Sequence, residues 1–279
     1  MRSRSLGVDP RRAIGAARPT AVPDPHTARR AAGEVLAAGV ASILHLEIDM
    51  QVFRDRHNAG RRLAQRFDRL AGDPGVVVLA LPRGGVPVGY EIALQIDAPL
   101  DALIVRTLCA PGRTGLAVGA LASGGIRAID PRMVAALDMS RDTLDAVEAR
   151  ERAELERRDG ALRSGRSPIA LAGRTALLVD DGIASGASMA AAIRAVRSRG
   201  PRRVIVAAPV APPEICEALG DLADEVVCLV TPPRLFSVGA WYRDYAPTSD
   251  AEVRDLLEAA RDHAARSSGT RRAEPAPTN

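Results

Sequence analysis

Ala176-Leu177-Leu178-Val179-Asp180-Asp181-Gly182-Ile183-Ala184-Ser185-Gly186-Ala187-Ser188 is the stretch of this 279-residue chain whose reading decides the fold. A short continuous apolar run that stops at charge predicts a buried parallel strand. The Gly/Ser-rich turn and the helical pattern that follows make it one strand–turn–helix unit. In open α/β sheets ligands lie at the carboxyl ends of strands, where Asp180 and Asp181 would sit. The turn then offers backbone N–H groups, the hydroxyls of Ser185 and Ser188 and the positive end of a helix. Those groups together form a cradle for an anion such as phosphate.

Vicinal hydroxyls donate to carboxylates, and a phosphate accepts from the cradle, so a ribose 5-phosphate satisfies both halves. An Asp-Asp pair after a strand also suits a receiver-type acidic pocket or a helix cap. The spacing of Ser185-Gly186-Ala187-Ser188 behind it favours the phosphate. The segment resembles the phosphoribosyl-pyrophosphate signature of type I phosphoribosyltransferases: a hydrophobic strand, two acidic residues, then Gly-x-x-Ser/Thr-Gly-x-Ser/Thr. The resemblance assigns Asp180 and Asp181 to the ribose, as the catalytic pair. It wraps the 5-phosphate in Gly182, Ile183, Ala184, Ser185, Gly186, Ala187 and Ser188.

A second apolar run, Val76 to Leu81, ends at Pro82-Arg83-Gly84-Gly85. Here a guanidinium stands beside two residues that tolerate close approach and leave their N–H groups open. In the resembled family the loop after the first core strand contacts the leaving pyrophosphate, which implies that role for Arg83, Gly84 and Gly85. By itself the segment would read as an ordinary strand-to-helix turn.

Val105-Arg106-Thr107-Leu108 ends a further expected strand, and the resemblance makes Arg106 and Thr107 substrate-binding positions. Alternation from Leu116 to Leu121, a turn at Gly124-Gly125 and a return over Ile126 to Ile129 predict a hairpin arm. A mobile arm of this kind could cover the site and exclude water. Leu81-Pro82-Arg83-Gly84-Gly85-Val86-Pro87, Val210-Ala211-Pro212-Pro213 and Thr231-Pro232-Pro233 with Phe236 to Tyr242 resemble a bacterial subgroup of phosphoribosyltransferases. Its acceptor is generally undefined, and the likeness covers roughly Val52 to Ala260, the size of one domain. Thr107 stands where the subgroup usually has Lys, Gly115 where it usually has Glu, and Ser185 and Ser188 where Thr is commoner. The first two departures remove a charge-stabilising contact and a loop latch.

The chain contains no lysine, so every cation other than histidine is arginine, and Schiff-base chemistry is excluded. A net charge of +4 and an aromatic content of 3% give no stacking surface for single-stranded nucleic acid. Cys109, Cys216 and Cys228 follow no disulfide or metal spacing, as in a reducing cytoplasm. No apolar run is long enough to span a membrane, and the scattered histidines read as surface or core residues.

Residues 1–49 are expected to be a disordered extension, with Met50 as an alternative or true start. Residues 50–263 then form the phosphoribosyltransferase domain, and 264–279 a disordered tail. Expected strands are Val76–Leu81, Leu103–Val105, Ala176–Val179, Val204–Ala207 and Glu225–Leu229. Expected helices cover Arg54–Leu70, Val86–Ile96, Ser140–Arg163, Met189–Arg199 and Asp250–His263. Ser140–Arg163 reads as a solvated charged face. This alternation implies an α/β fold with a three-layer, mainly parallel sheet of the phosphoribosyltransferase type, a flexible hairpin arm and a small C-terminal hood. In that hood Trp241 or Tyr242 would stack on an acceptor base, or simply pack on the core.

The function these readings imply is transfer of ribosyl 5-phosphate from phosphoribosyl pyrophosphate to a small nitrogenous, nucleobase-like acceptor, with release of pyrophosphate. Magnesium would be held through substrate oxygens and water near Asp180 and Asp181, with no direct protein cage. Neither nucleic acid nor membrane is expected as a partner. A homodimer fits the resemblance, since dimers are common among such enzymes. The alternatives are a non-enzymatic sugar-phosphate sensor, a phosphohydrolase or phosphorylase acting on ribose phosphates in the same pocket, and a scaffold with a degenerate site.

Overall fold

The computed structural model describes residues 53–112, 116–163 and 167–273. Gly115, the expected N-terminal extension 1–49 and the last residues of the expected tail lie outside them. Five parallel strands form the main sheet in the order β2-β1-β6-β7-β8. They are β1 (Val76–Ala80), β2 (Leu100–Ala102), β6 (Thr175–Val179), β7 (Arg203–Val210) and β8 (Glu225–Val230). β1 and β6 are buried along their whole length, as apolar runs without alternation require when both faces are covered.

Alternate strand residues feed two apolar layers. Val76, Val78, Leu177 and Val179 pack under α1 (Arg56–Ala64), α2 (Gly85–Ile96), α4 (Arg141–Arg163) and α7 (Asp250–Ala273). Val77, Leu79, Ala176 and Leu178 pack under α5 (Ala187–Arg197) and α6 (Pro213–Gly220). The result is the three-layer α/β arrangement expected from the sequence. The strand order reverses between β1 and β6, so a crevice opens at the carboxyl ends of these two neighbours.

A separate antiparallel sheet, β3-β4-β5, is made by β3 (Val105–Cys109), β4 (Ala117–Ala122) and β5 (Ile126–Ile129). It turns at Ser123-Gly124-Gly125, where both glycines have positive φ. The expected arm is therefore present with a third strand, and Leu108, Val118, Leu121 and Ile126 bury it against the body. A short helix, α3 (Pro131–Ala136), follows with Asp130 accepting the backbone N–H groups of Arg132 and Met133 as its cap.

Three expectations are corrected. The second core strand is Leu100–Ala102, not Leu103–Val105; Leu103 and Ile104 are the buried link into β3. The final helix passes His263 and runs to Ala273. α4 is more than a solvated face: Leu144, Val147, Leu155 and Leu162 enter the core. Near its end Arg163 is buried and donates to both carboxylate oxygens of the equally buried Asp101 in β2, at 2.7 and 2.8 Å.

Candidate active site at the β1/β6 crevice

β6 ends at Val179, and the chain leaves the sheet as Asp180-Asp181. The Asp181 backbone N–H donates to Asp180 Oδ1 at 2.9 Å, which fixes the first carboxylate at the mouth of the crevice. Asp180 is pushed well above the usual carboxylate range, first by desolvation and then by the charge of Asp181 beside it. Asp181 is buried, with Arg56 Nε donating to its Oδ2 at 2.7 Å. Arg56 also donates to the Ala246 carbonyl at 2.7 Å, and its guanidinium lies 3.9 Å from the centre of the Tyr245 ring. Beneath, Tyr242 Oη donates to the Asp181 carbonyl at 2.5 Å.

The Gly/Ser turn follows directly. Gly182 is pinned by space, since a Cβ there would run into Val238 Cγ1. Ile183 turns its side chain into the core, and its N–H donates to the Val210 carbonyl at 2.9 Å. The exposed tip carries Ala184 and Ser185, then Gly186 at φ +72° opens α5 with Ala187 and Ser188 in its first turn. First-turn N–H groups of a helix have no intrahelical acceptor, so this tip presents donors and two hydroxyls to solvent.

The opposite wall comes from β1. Leu81 ends in a cis Pro82–Arg83 peptide, and Gly84-Gly85 enters α2. A Cβ on Gly84 would run into Asp181 Oδ2, and one on Gly85 would stand 2.6 Å from the Val179 carbonyl oxygen. Glycine at both positions is thus a steric requirement of bringing the two loops together. Arg83 projects outward, half exposed, with Nη1 3.7 Å from Asp250 at the start of α7.

Between the walls lies a cavity of about 430 Å³ whose lining includes Arg83, Arg106, Arg157, Arg158, Asp180 and Ser188. The structure therefore brings together Asp180, Ser188, Arg83 and Arg106 from the residues singled out in the sequence. Arg106 is anchored there by Glu151 of α4, through Nε at 2.8 Å and Nη2 at 2.5 Å. Thr107 lies elsewhere, because adjacent strand residues face opposite ways. It lines a larger, mostly apolar groove between the arm and α5. Trp241 and Tyr242 are buried with Phe53 and Val210 in a small cluster of their own, so their rings are packing rather than stacking surfaces. The exposed aromatic side chains nearby are Phe236 and Tyr245.

Arg56, Arg157, Arg158 and Asp250 escaped the sequence reading. Arg56 sits in an unremarkable Arg-Asp-Arg-His run. Arg157 and Arg158 were absorbed into the charged stretch of α4, although the spacing Glu151, Glu154, Arg158, Ala161 already marks one face of that helix.

The donor set also bears on the magnesium expected from the resemblance. Asp180 and Asp250 bring oxygen ligands to the cavity. Among the described residues no group of three or more His, Cys, Asp or Glu side chains gathers to hold a metal. Carboxylate oxygens are the donor type that magnesium takes, so Asp180 and Asp250 fit the expected ion.

Comparison with known proteins agrees with this fold. The phosphoribosyl transferase domain family matches residues 53–233. Two provisionally named phosphoribosyl transferases of Mycobacterium tuberculosis, from strains H37Rv and CDC 1551, are each 46% identical over 211 residues. The match takes in 76% of this chain and 47% of theirs, so the chain spans about half the length of the curated relatives it matches. The crystal structure of TT1426 from Thermus thermophilus superposes with a TM-score of 0.68 at 42% identity, covering 74% of this chain and 97% of that one. With the acidic pair, the phosphate-type turn and the glycine loop meeting at the strand-order reversal, the chain belongs to the phosphoribosyl transferase domain family.

Proposed function

We propose that the domain transfers ribosyl 5-phosphate from phosphoribosyl pyrophosphate to a small nitrogenous, nucleobase-like acceptor. The observation that carries this reading is the shared cavity, with Asp180 and Ser188 on one wall and arginines on the other. The 5-phosphate takes the donors of the tip 184–188, and the ribose hydroxyls donate to Asp180. Arg83 and Arg106 face the diphosphate. The anomeric C–O bond breaks with both electrons leaving on diphosphate. The acceptor nitrogen forms the C–N bond and gives up its proton to solvent.

Catalysis then rests on positioning and on negative charge set beside a cationic ring, with no covalent nucleophile. Asp181, held by Arg56 and Tyr242, positions Asp180 through the hydrogen bond between them. Magnesium, held near Asp180 by ligand oxygens, would supply charge neutralisation to the diphosphate. No helix among the described residues is long and apolar enough to cross a membrane. A cytoplasmic setting, supported by three free thiols, and a homodimer are parts of the same proposal.

Calorimetric titration with phosphoribosyl pyrophosphate, with and without magnesium, tests the reading. The expected result is magnesium-dependent binding in the micromolar range, weakened at least about tenfold in Asp180→Asn, the loss of one charge-assisted contact. Absence of binding by the parent protein would refute it.

A further inference from the structure

Resting on that reading, we propose that Arg157 and Arg158 of α4 bind the leaving diphosphate, held ready by Glu154. Both side chains line the cavity that contains Asp180, Ser188 and Arg83. They arrive from a helix distant in sequence from both loops. Arg157 donates to the two carboxylate oxygens of Glu154 at 2.8 and 2.9 Å, and Arg158 Nε donates to Oε1 at 2.5 Å. Two guanidiniums therefore share one carboxylate, which leaves one positive charge in surplus at the cavity wall.

The other cavity cations are less free. Arg106 is only 28% exposed and is anchored by Glu151, which it shares with Arg150, and Arg83 approaches Asp250. Arg157 and Arg158 thus bring two exposed guanidiniums and a surplus positive charge to one stretch of the lining, placed to receive new negative charge. A planar guanidinium fork matches a phosphate bidentately, and both side chains remain at least half exposed, free to swing from carboxylate to ligand. Glu154 is held down at about 2, first by the hydrogen bond from Arg157, so it stays ionised and keeps the pair ordered when no anion is present. Desolvated Asp180 and the turn 184–188 attract the sugar end of the donor; the arginine pair attracts the opposite end. The division gives the helix a role in orienting the donor.

Titration of the full chain with inorganic pyrophosphate and, separately, ribose 5-phosphate tests this. In Arg157→Gln/Arg158→Gln, pyrophosphate affinity falls at least about tenfold while ribose 5-phosphate affinity stays within about twofold of the parent. Unchanged pyrophosphate affinity in the double variant would overturn the proposal, and so would equal losses for both ligands. A parent protein that binds ribose 5-phosphate but not pyrophosphate overturns this inference and leaves the sugar-phosphate site standing. A parent that binds neither overturns the transferase reading with it. Because both arginines lie on the surface, an unchanged melting curve is expected for the double variant.

Discussion

Replacing Arg56 with Met isolates what holds the acidic pair in place. Arg56 and Asp181 each keep only 11% side-chain exposure, and they meet at 2.7 Å. Methionine retains most of the apolar stem but removes the charge, the bond to Ala246 and the stacking on Tyr245. Losing one member of a buried ion pair costs about 3–5 kcal/mol, because the other charge stays behind uncompensated. The residual exposure argues for the lower end, so the expected loss is about 3 kcal/mol. For a domain of this size that is a fall of about 6–12 °C in Tm. Urea-induced unfolding at pH 7 measures it directly. Asp181→Asn alone should cost less, since an asparagine oxygen still accepts from Arg56. The double variant should then fall short of the summed losses by about 1 kcal/mol or more, as expected for side chains in contact. If Arg56→Met lies within about 0.5 kcal/mol of the parent, or the two changes add, the pair is not the anchor described here.

Asp180 carries the opposite sign. Its folded pKa is raised above the ordinary 3.8, so the native state binds the extra proton and stability falls as pH climbs from about 4 through the folded value. Asp180→Asn should therefore be more stable than the parent at pH 7, with the gain vanishing below about pH 4; denaturant titrations across this range that show no gain at neutral pH would refute the burial argument. The same variant should bind phosphoribosyl pyrophosphate poorly, so stability and binding move in opposite directions. Gly85→Ala sets a methyl group 2.6 Å from the Val179 carbonyl oxygen, and the backbone there has no room to yield. It should lose about 1–3 kcal/mol in a thermal melt. Gly84→Ala meets Asp181 Oδ2, the oxygen that Arg56 bonds, and should lower the melting temperature and weaken ligand binding together, as calorimetry beside the melt would reveal.

Much of this site was legible because its first parts are contiguous. A strand, two acids and a Gly/Ser turn are local chemistry, and nothing distant is needed to place Asp180 beside Ser188. The second core strand was misplaced because Leu100 to Val105 is apolar except for Asp101, which reads as a strand breaker. Its burial makes sense only once Arg163 arrives from α4 to pair with it. Arg56 was hidden for the same reason, its partner Asp181 being remote in the chain. Arg157 and Arg158 were hidden because their local pairing with Glu154 reads as an ordinary solvated helix face, and arginine is the sole strongly basic residue type here, so none stands out. Trp241 and Tyr242 were drawn toward ligand stacking by rarity. The structure instead uses them to close the domain, where Phe53 N–H donates to the Trp241 carbonyl at 3.0 Å and Arg243 N–H returns to the Phe53 carbonyl at 2.9 Å.

The strand order has a consequence for how the protein is made. β1 lies between β2 and β6, yet β6 is synthesised roughly 100 residues after β1. At about 5–20 residues per second, an emerging chain passes on the order of 5–20 s with β1 paired along one edge only. During that interval Val76-Val77-Val78-Leu79-Ala80, wholly apolar, offers an open ladder of N–H and C=O groups to any neighbouring strand. Folding must wait for this long-range pairing, which makes the domain slow for its size and a natural client for chaperones until the ribosome has delivered Thr175–Val179.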